Sequence, residues 1–248
     1  MTSSNLEINT VYNEDCLILM KKLPNNYFDL IITDPPYGIN ADENQNKAGL
    51  QNKNSGLDSK AGRGWKIYRQ TKWDKERPSK EVFKEMLRVS KNQIIWGGNY
   101  FIDYLHPSMC WLIWNKGQRG FSLADGEMAW TSFNKAMRIF DYSRAKFLNS
   151  EKRKHPTQKP VSLGRWILKK FAKEGDLIFD PFTGSGSFLL ACKHLGFKYV
   201  GCEIDKEYME IAQERLSQSV LFPLDTKQEG GNGIPPTNKL VGILPKIL

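Results

Sequence analysis

The sequence predicts an α/β fold from three observations. An apolar run, Leu30-Ile31-Ile32-Thr33, stops at Asp34-Pro35-Pro36-Tyr37-Gly38, as a buried strand does when it ends at the ligand-facing edge of an open sheet. Later, Asp176 to Glu203 reads as a strand, a glycine loop, a helix, a second strand and an acid. Between and around these, short apolar runs alternate with helical periodicities along 248 residues, a length that holds one large α/β domain or two small ones.

Composition narrows the class. Hydrophobic residues make up 40% and charged residues 25%, so the chain can fill a core. The net charge of +9 points to a polyanionic partner such as nucleic acid, although a merely basic protein has the same balance. Cys16, Cys110, Cys192 and Cys202 lie far apart, and no pair has metal-ligand spacing. Reduced core thiols and no metal site are the expectation. No apolar run reaches membrane-spanning length, and Met1 to Asn9 has no signal-peptide pattern, so neither a membrane nor export is expected.

Taken in order, Ile8 to Tyr12 alternates and reads as a short strand, and Cys16 to Leu23 as a short helix ending at Pro24. Asp15 sits at their junction, where it can cap the helix or meet a ligand. Tyr27 to Thr33 is the strand leading into Asp34. Each proline fixes its own φ and removes an N–H, and each disfavours helical geometry in the residue before it, so Asp34 is held stiffly past the strand end. A carboxylate, rigid carbonyls and a planar ring suit a flat substrate bearing an amino group, while a proline turn with a solvated Asp would look the same locally. Residues 38–78 are polar and poor in periodicity, apart from Trp65, Ile67, Tyr68 and Trp73. This stretch is expected to be a mobile loop contacting substrate or a plain surface insertion.

Ser79 is placed to cap a helix whose apolar face is Val82, Phe83, Met86, Leu87 and Val89. Gln93 to Trp96 reads as a strand stopped by Gly97-Gly98. Cys110 to Trp114 and Glu127 to Thr131 are two more, too close for a long helix between them and therefore expected as an antiparallel pair. From Phe133 to Lys154 periodicity fades and charge rises: Lys135, Arg138, Arg144, Lys146, Lys152, Arg153 and Lys154 face only Asp141 and Glu151, with Phe133, Phe140, Tyr142 and Phe147 interleaved. Cations suit phosphates and rings suit bases, so this segment is the expected nucleic-acid contact. His155 to Pro160 is a stiff turn before a helix, Val161 to Ala172. Asp176 to Asp180 is a buried strand, followed by Pro181-Phe182-Thr183-Gly184-Ser185-Gly186-Ser187, a helix to His194, and a strand Tyr199 to Glu203. Small glycines let a ligand approach the backbone, the helix start offers N–H groups to an anion, and an acid about 20 residues on can hold ribose hydroxyls. A helix from Tyr208 to Leu216 and a tail from Ser219, expected to be loosely ordered, complete the chain.

Asp34-Pro35-Pro36-Tyr37 with Phe182-x-Gly184-x-Gly186, in that order, resembles the β class of amino-group DNA methyltransferases that use S-adenosylmethionine. His155 to Pro160 and Asn13-Glu14-Asp15-Cys16 resemble segments of the same family. The resemblance implies a Rossmann-like, mostly parallel seven-stranded sheet with helices on both faces, a reversed last strand and a circularly permuted motif order. It implies one methyltransferase domain over residues 1–218, with a catalytic half at 1–131, target recognition at 132–154 and a cofactor half at 155–218, then a tail at 219–248. By resemblance, Asp34 and the Pro35 carbonyl bind the target amine, with Pro36 stiffening the turn and Tyr37 stacking on an extruded base. Asp180, Phe182, Thr183, Gly184, Ser185 and Gly186 line the methionine side of the cofactor together with Asp34. Glu203 holds the ribose, Asp15 and Cys16 meet the adenine edge, and Lys159 and Ser162 lie near the methionine carboxylate. The implied partner is double-stranded DNA, in the cytoplasm of a bacterium or acting there from a phage. A homodimer and a cognate restriction endonuclease remain open as partners. Asp in this motif usually goes with adenine N6 and Ser with cytosine N4, so adenine is the expected target, with cytosine and an inactive DNA-binding protein as the alternatives.

Overall fold

The computed structural model describes residues 6–40, 74–119, 124–150 and 158–218. Most of the expected loop 38–78, the cations Lys152, Arg153 and Lys154, His155 to Thr157 and the tail 219–248 lie outside the described residues.

The strands are β1 (Thr10–Tyr12), β2 (Phe28–Thr33), β3 (Ser90–Trp96), β4 (Trp111–Asn115), β5 (Gly126–Thr131), β6 (Arg138–Asp141), β7 (Leu177–Asp180) and β8 (Lys198–Cys202). The helices are α1 (Cys16–Lys21), α2 (Lys80–Val89), α3 (Arg144–Ser150), α4 (Val161–Phe171), α5 (Ser187–Leu195) and α6 (Lys206–Ser217). All eight strands join one sheet in the order β1-β8-β7-β2-β3-β5-β4-β6. Among the described strands β5 alone runs against its neighbours, antiparallel to both β3 and β4, while the other pairs are parallel. The α/β class and the antiparallel pair match expectation. The strand count does not: among the described residues eight strands replace seven. The reversed strand is also not last in the chain, because the short link from β4 returns it as a hairpin inside the sheet.

The extra strand, β6, lies in the basic segment, where the sequence predicts no element. It sits at the sheet edge beside β4, with most of its residues exposed, so it carries none of the burial pattern that betrays a strand. In contrast β2 is nearly all buried, because it is central and helices cover both faces. Alternation then sorts its side chains. Leu30 and Ile32 join Ile94, Trp96, Leu163, Ile167 and Leu189 on one face. Ile31 joins Ile95, Leu19, Met20, Phe83 and Met86 on the other. Helix ends follow local chemistry only in part: Asp15 and Asp205 accept first-turn N–H groups of α1 and α6, whereas Ser79 holds the N-cap position of α2 without a side-chain capping bond.

Candidate active site

The central neighbours β2 and β7 send their chains to opposite sides of the sheet, β2 towards β3 and β7 towards β8. Such a switch point opens a crevice beyond the carboxyl ends of the strands. A cavity of about 430 Å³ lies there, and Asp34, Pro36, Lys159, Asp180, Phe182, Thr183, Gly184, Ser185 and Glu203 all contribute to its wall. Residues from both ends of the chain are thus brought to one space.

Asp34 follows β2 directly. Its Oδ1 accepts from the Tyr37 hydroxyl at 2.5 Å and its Oδ2 from the Lys159 ammonium at 2.5 Å. Burial lifts this carboxyl above its ordinary range, while Lys159 opposes the rise. Lys159 is itself buried and also meets Glu127 Oε2 at 2.9 Å, and Glu127 Oε1 meets Lys116 at 2.5 Å. Four charges therefore alternate in a chain: Asp34, Lys159, Glu127, Lys116. Against the cost of burial, Lys159 and Lys116 hold the Glu127 carboxyl down at about 2. Burial opposes the Lys159 ammonium, but the Asp34 and Glu127 carboxylates outweigh it and raise its pKa.

Tyr37 stands in a tailored slot. Its ring stacks on Tyr100 with centroids 4.7 Å apart and planes 15° apart, and meets Phe101 edge-on. The slot depends on Gly97, which has φ +67°; a Cβ there would lie 2.1 Å from the Tyr37 ring. The two prolines offer no N–H, so the first amides after them are those of Tyr37, Gly38 and Ile39. All three donate to the buried Asp74 carboxylate, at 2.6, 2.9 and 3.3 Å. Asp74 fixes the loop that carries the ring.

On the β7 side, Asp180 is buried and accepts from Thr33 Oγ1 at 2.8 Å and the Phe182 N–H at 3.2 Å. Burial pushes its carboxyl up to about 7. Gly186 is the N-cap of α5. Gly184 has φ +51°, and a Cβ built on it would meet nothing within 4 Å, so its backbone faces open cavity. Its N–H donates to Glu203 Oε2 at 2.7 Å, and the Asp205 N–H to Oε1 at 2.9 Å. Each Glu203 oxygen keeps acceptor capacity for a further donor. Ser185 donates to Gln158 Oε1 at 3.4 Å.

The remaining expected residues sit further out. Asp15 caps α1, accepting the Leu17 N–H at 2.7 Å. Cys16 is buried, and burial, then the Asp15 charge, pushes its thiol up to about 12. Neither is among the residues lining the cavity, though Asn13 Nδ2 ties their segment to the Glu203 carbonyl at 2.8 Å. Ser162 is also outside the wall, with a buried hydroxyl that has no hydrogen-bond partner among the described residues. Lys159 lines the cavity, and its ammonium is committed to Asp34 and Glu127.

The basic segment divides by side-chain type. Lys135, Arg138 and Lys146 are exposed, and Arg144 is half-buried. The aromatic residues turn largely to the core: Tyr142 and Phe147 are buried, and the partly buried Phe133 and Phe140 pack on Phe171 and Trp166. The exposed cations lie over such rings, Lys135 5.3 Å from the Phe133 centroid and Lys146 5.3 Å from that of Tyr142. Glu127, Lys116, Asp74, Gly97 and Tyr100 belong to the site without standing out as site residues in the sequence. Their one signal is Glu127, a charge opening an otherwise apolar strand opposite the Trp114 end of β4.

Residues 106–214 match the family model described as DNA methylase. Type II methyltransferase M.HpaI of Haemophilus parainfluenzae is 28% identical over 241 residues, spanning 79% of this chain and 70% of its own length. Type II methyltransferase M.HinfI of Haemophilus influenzae is 29% identical over 271 residues, spanning 88% of this chain and 71% of its own. Among solved structures, the M1.HpyAVI–SAM complex shares the fold at a TM-score of 0.54 and 23% identity, covering 84% of this chain and 99% of that one.

Proposed function

We propose that the chain is a DNA methylase, on the match of residues 106–214 to that family model and the likeness to the two type II methyltransferases, and that it transfers a methyl group from S-adenosylmethionine to the exocyclic N6 of adenine in duplex DNA. The observation that carries the reading is that Asp34, the Gly184 backbone and Glu203 share one cavity. The cavity fits the methyl donor: Gly184 leaves space where a side chain would stand, and Glu203 presents a carboxylate suited to paired hydroxyls. Glu203 would hold the ribose and the Phe182 to Gly186 loop the methionine end. When bound, S-adenosylmethionine supplies an electrophilic methyl on a sulfonium.

The amine is a poor nucleophile because its lone pair is delocalised into the ring. Asp34 and the Pro35 carbonyl, accepting its two N–H bonds, favour a pyramidal nitrogen and stabilise the positive charge that grows on it. Asp34 then takes the surplus proton, directly or through water. Fixing amine and methyl in line supplies much of the remaining acceleration. The base must leave the duplex, at a cost of a few kcal/mol, and stacking on Tyr37 in place of Tyr100 offsets part of it. The exposed cations of the β6–α3 segment would hold phosphates. We place a cognate restriction endonuclease among the partners, on the type II names of the relatives, and the site of action in the bacterial cytoplasm. Incubating DNA with the protein and methyl-labelled S-adenosylmethionine, then separating the nucleosides, tests the reading: label is expected in N6-methyl-2′-deoxyadenosine.

A further inference from the structure

Asp34 has no idle oxygen: Tyr37 holds one and Lys159 the other. A base amine that takes the Lys159 position on this carboxylate would release the ammonium, and an ammonium released in a buried site with no other anion would carry a large desolvation penalty. The structure supplies that other anion. Lys159 already touches Glu127 Oε2 at 2.9 Å, and Glu127 is kept ionised by Lys116 behind it. We infer that Lys159 is a displaceable stopper on the Asp34 carboxylate, and that Glu127, anchored by Lys116, is the positioning residue that receives the ammonium when a base amine takes its place. The inference rests on the methyl-transfer reading and adds a gate to it. Lys159 stays an ammonium throughout, so no proton is required of it.

The geometry makes opposite demands on the two ends of the gate. Asp34 faces Lys159, Tyr37, Glu127 from β5 and Asp180 from β7. Removing the Lys159 charge takes away its attractive partner, leaving burial and two neighbouring carboxylates, so Asp34 must hold its proton to higher pH. Removing the Glu127 charge takes away a repulsive neighbour and leaves Lys159 only one anion, so Asp34 must lose its proton at lower pH and be harder to open.

The test uses the full chain with 13C-labelled aspartate carboxyls, with the Asp34 signal identified by its loss in Asp34→Asn. In Lys159→Gln its titration midpoint should move up from wild type, and in Glu127→Gln it should move down. In steady-state methylation Glu127→Gln should lose about tenfold in kcat/KM for DNA, the factor of one weakened charge-assisted hydrogen bond. Its affinity for S-adenosylmethionine by calorimetry should stay within twofold of wild type, which also checks that the variant folds. Should Glu127→Gln fail to fold, Lys116→Gln replaces it: drawing Lys159 towards the less neutralised Glu127 should move the Asp34 midpoint up. Midpoints that do not move, or move in the same direction in Lys159→Gln and Glu127→Gln, would overturn the gate. Absence of methyl transfer by the wild-type protein would instead overturn the functional reading beneath it.

Discussion

At the level of single residues, the sequence makes legible what lies close along the chain. Asp34, Pro35, Pro36 and Tyr37 announce themselves because a strand end, two stiff residues and a ring are adjacent. The partners of Asp34 do not, since Lys159 arrives from 125 residues away and Glu127 from the reversed strand. Asp180 shows the same limit. Its neighbours in sequence group it with the cofactor loop, but they do not show that its buried carboxylate receives the Thr33 hydroxyl from β2 as well as the Phe182 N–H. Its pKa is raised from 3.8 to about 7. The folded protein therefore keeps a proton that the unfolded chain has released, so this contribution to stability is full below about pH 4 and is lost as pH rises through about 7. Asp180→Asn keeps both accepted bonds and removes the charge. It should raise Tm by several degrees near pH 8, corresponding to about 2 kcal/mol or more, and change little near pH 4. Thermal melts of both proteins across that range check it.

At the level of elements, the legible strands are those enclosed on both faces. β2, β7, β8 and the second half of β3 read as mostly apolar runs because both faces of the sheet centre are covered. β6 and α3 escape such a reading because an edge strand and a short surface helix keep their polar residues. Tyr142 and Phe147, expected as base platforms, instead join the core. The turn at residues 35–39 is held in a different way, with three successive amides donating to Asp74. Asp74→Ala leaves three amides without this acceptor, costing about 1–3 kcal/mol for each one that water does not reach. It should loosen the Tyr37 ring and lower kcat/KM for DNA by about 10–100-fold, the scale set by lost orientation of reacting groups. Affinity for S-adenosylmethionine should hold, because the glycine loop is on another strand. Steady-state kinetics with calorimetry separates the two effects.

At the level of the whole molecule, topology does what no local motif can. Placing β2 against β7 puts a segment from the first forty residues beside one from beyond residue 180, and the cavity forms where they meet. The net charge of +9 is readable from composition, and the exposed positions of Lys135, Arg138 and Lys146 give part of it a surface location at the β4–β6 edge. If that edge meets the phosphate backbone, Arg138→Ala with Lys146→Ala should weaken binding to all DNA sequences alike. The slope of log affinity against log salt should fall by about 0.9 for each phosphate that is no longer neutralised, and an unchanged slope would remove the segment from the interface. The central claim is that one carboxylate at the switch point activates an adenine amine. The most direct measurement compares wild type with Asp34→Ala for methyl label recovered in N6-methyl-2′-deoxyadenosine, alongside calorimetric affinity for S-adenosylmethionine. The account predicts label from wild type only, with both proteins binding the methyl donor. Near-normal label from Asp34→Ala, or wild-type label in cytosine instead of adenine, would contradict it.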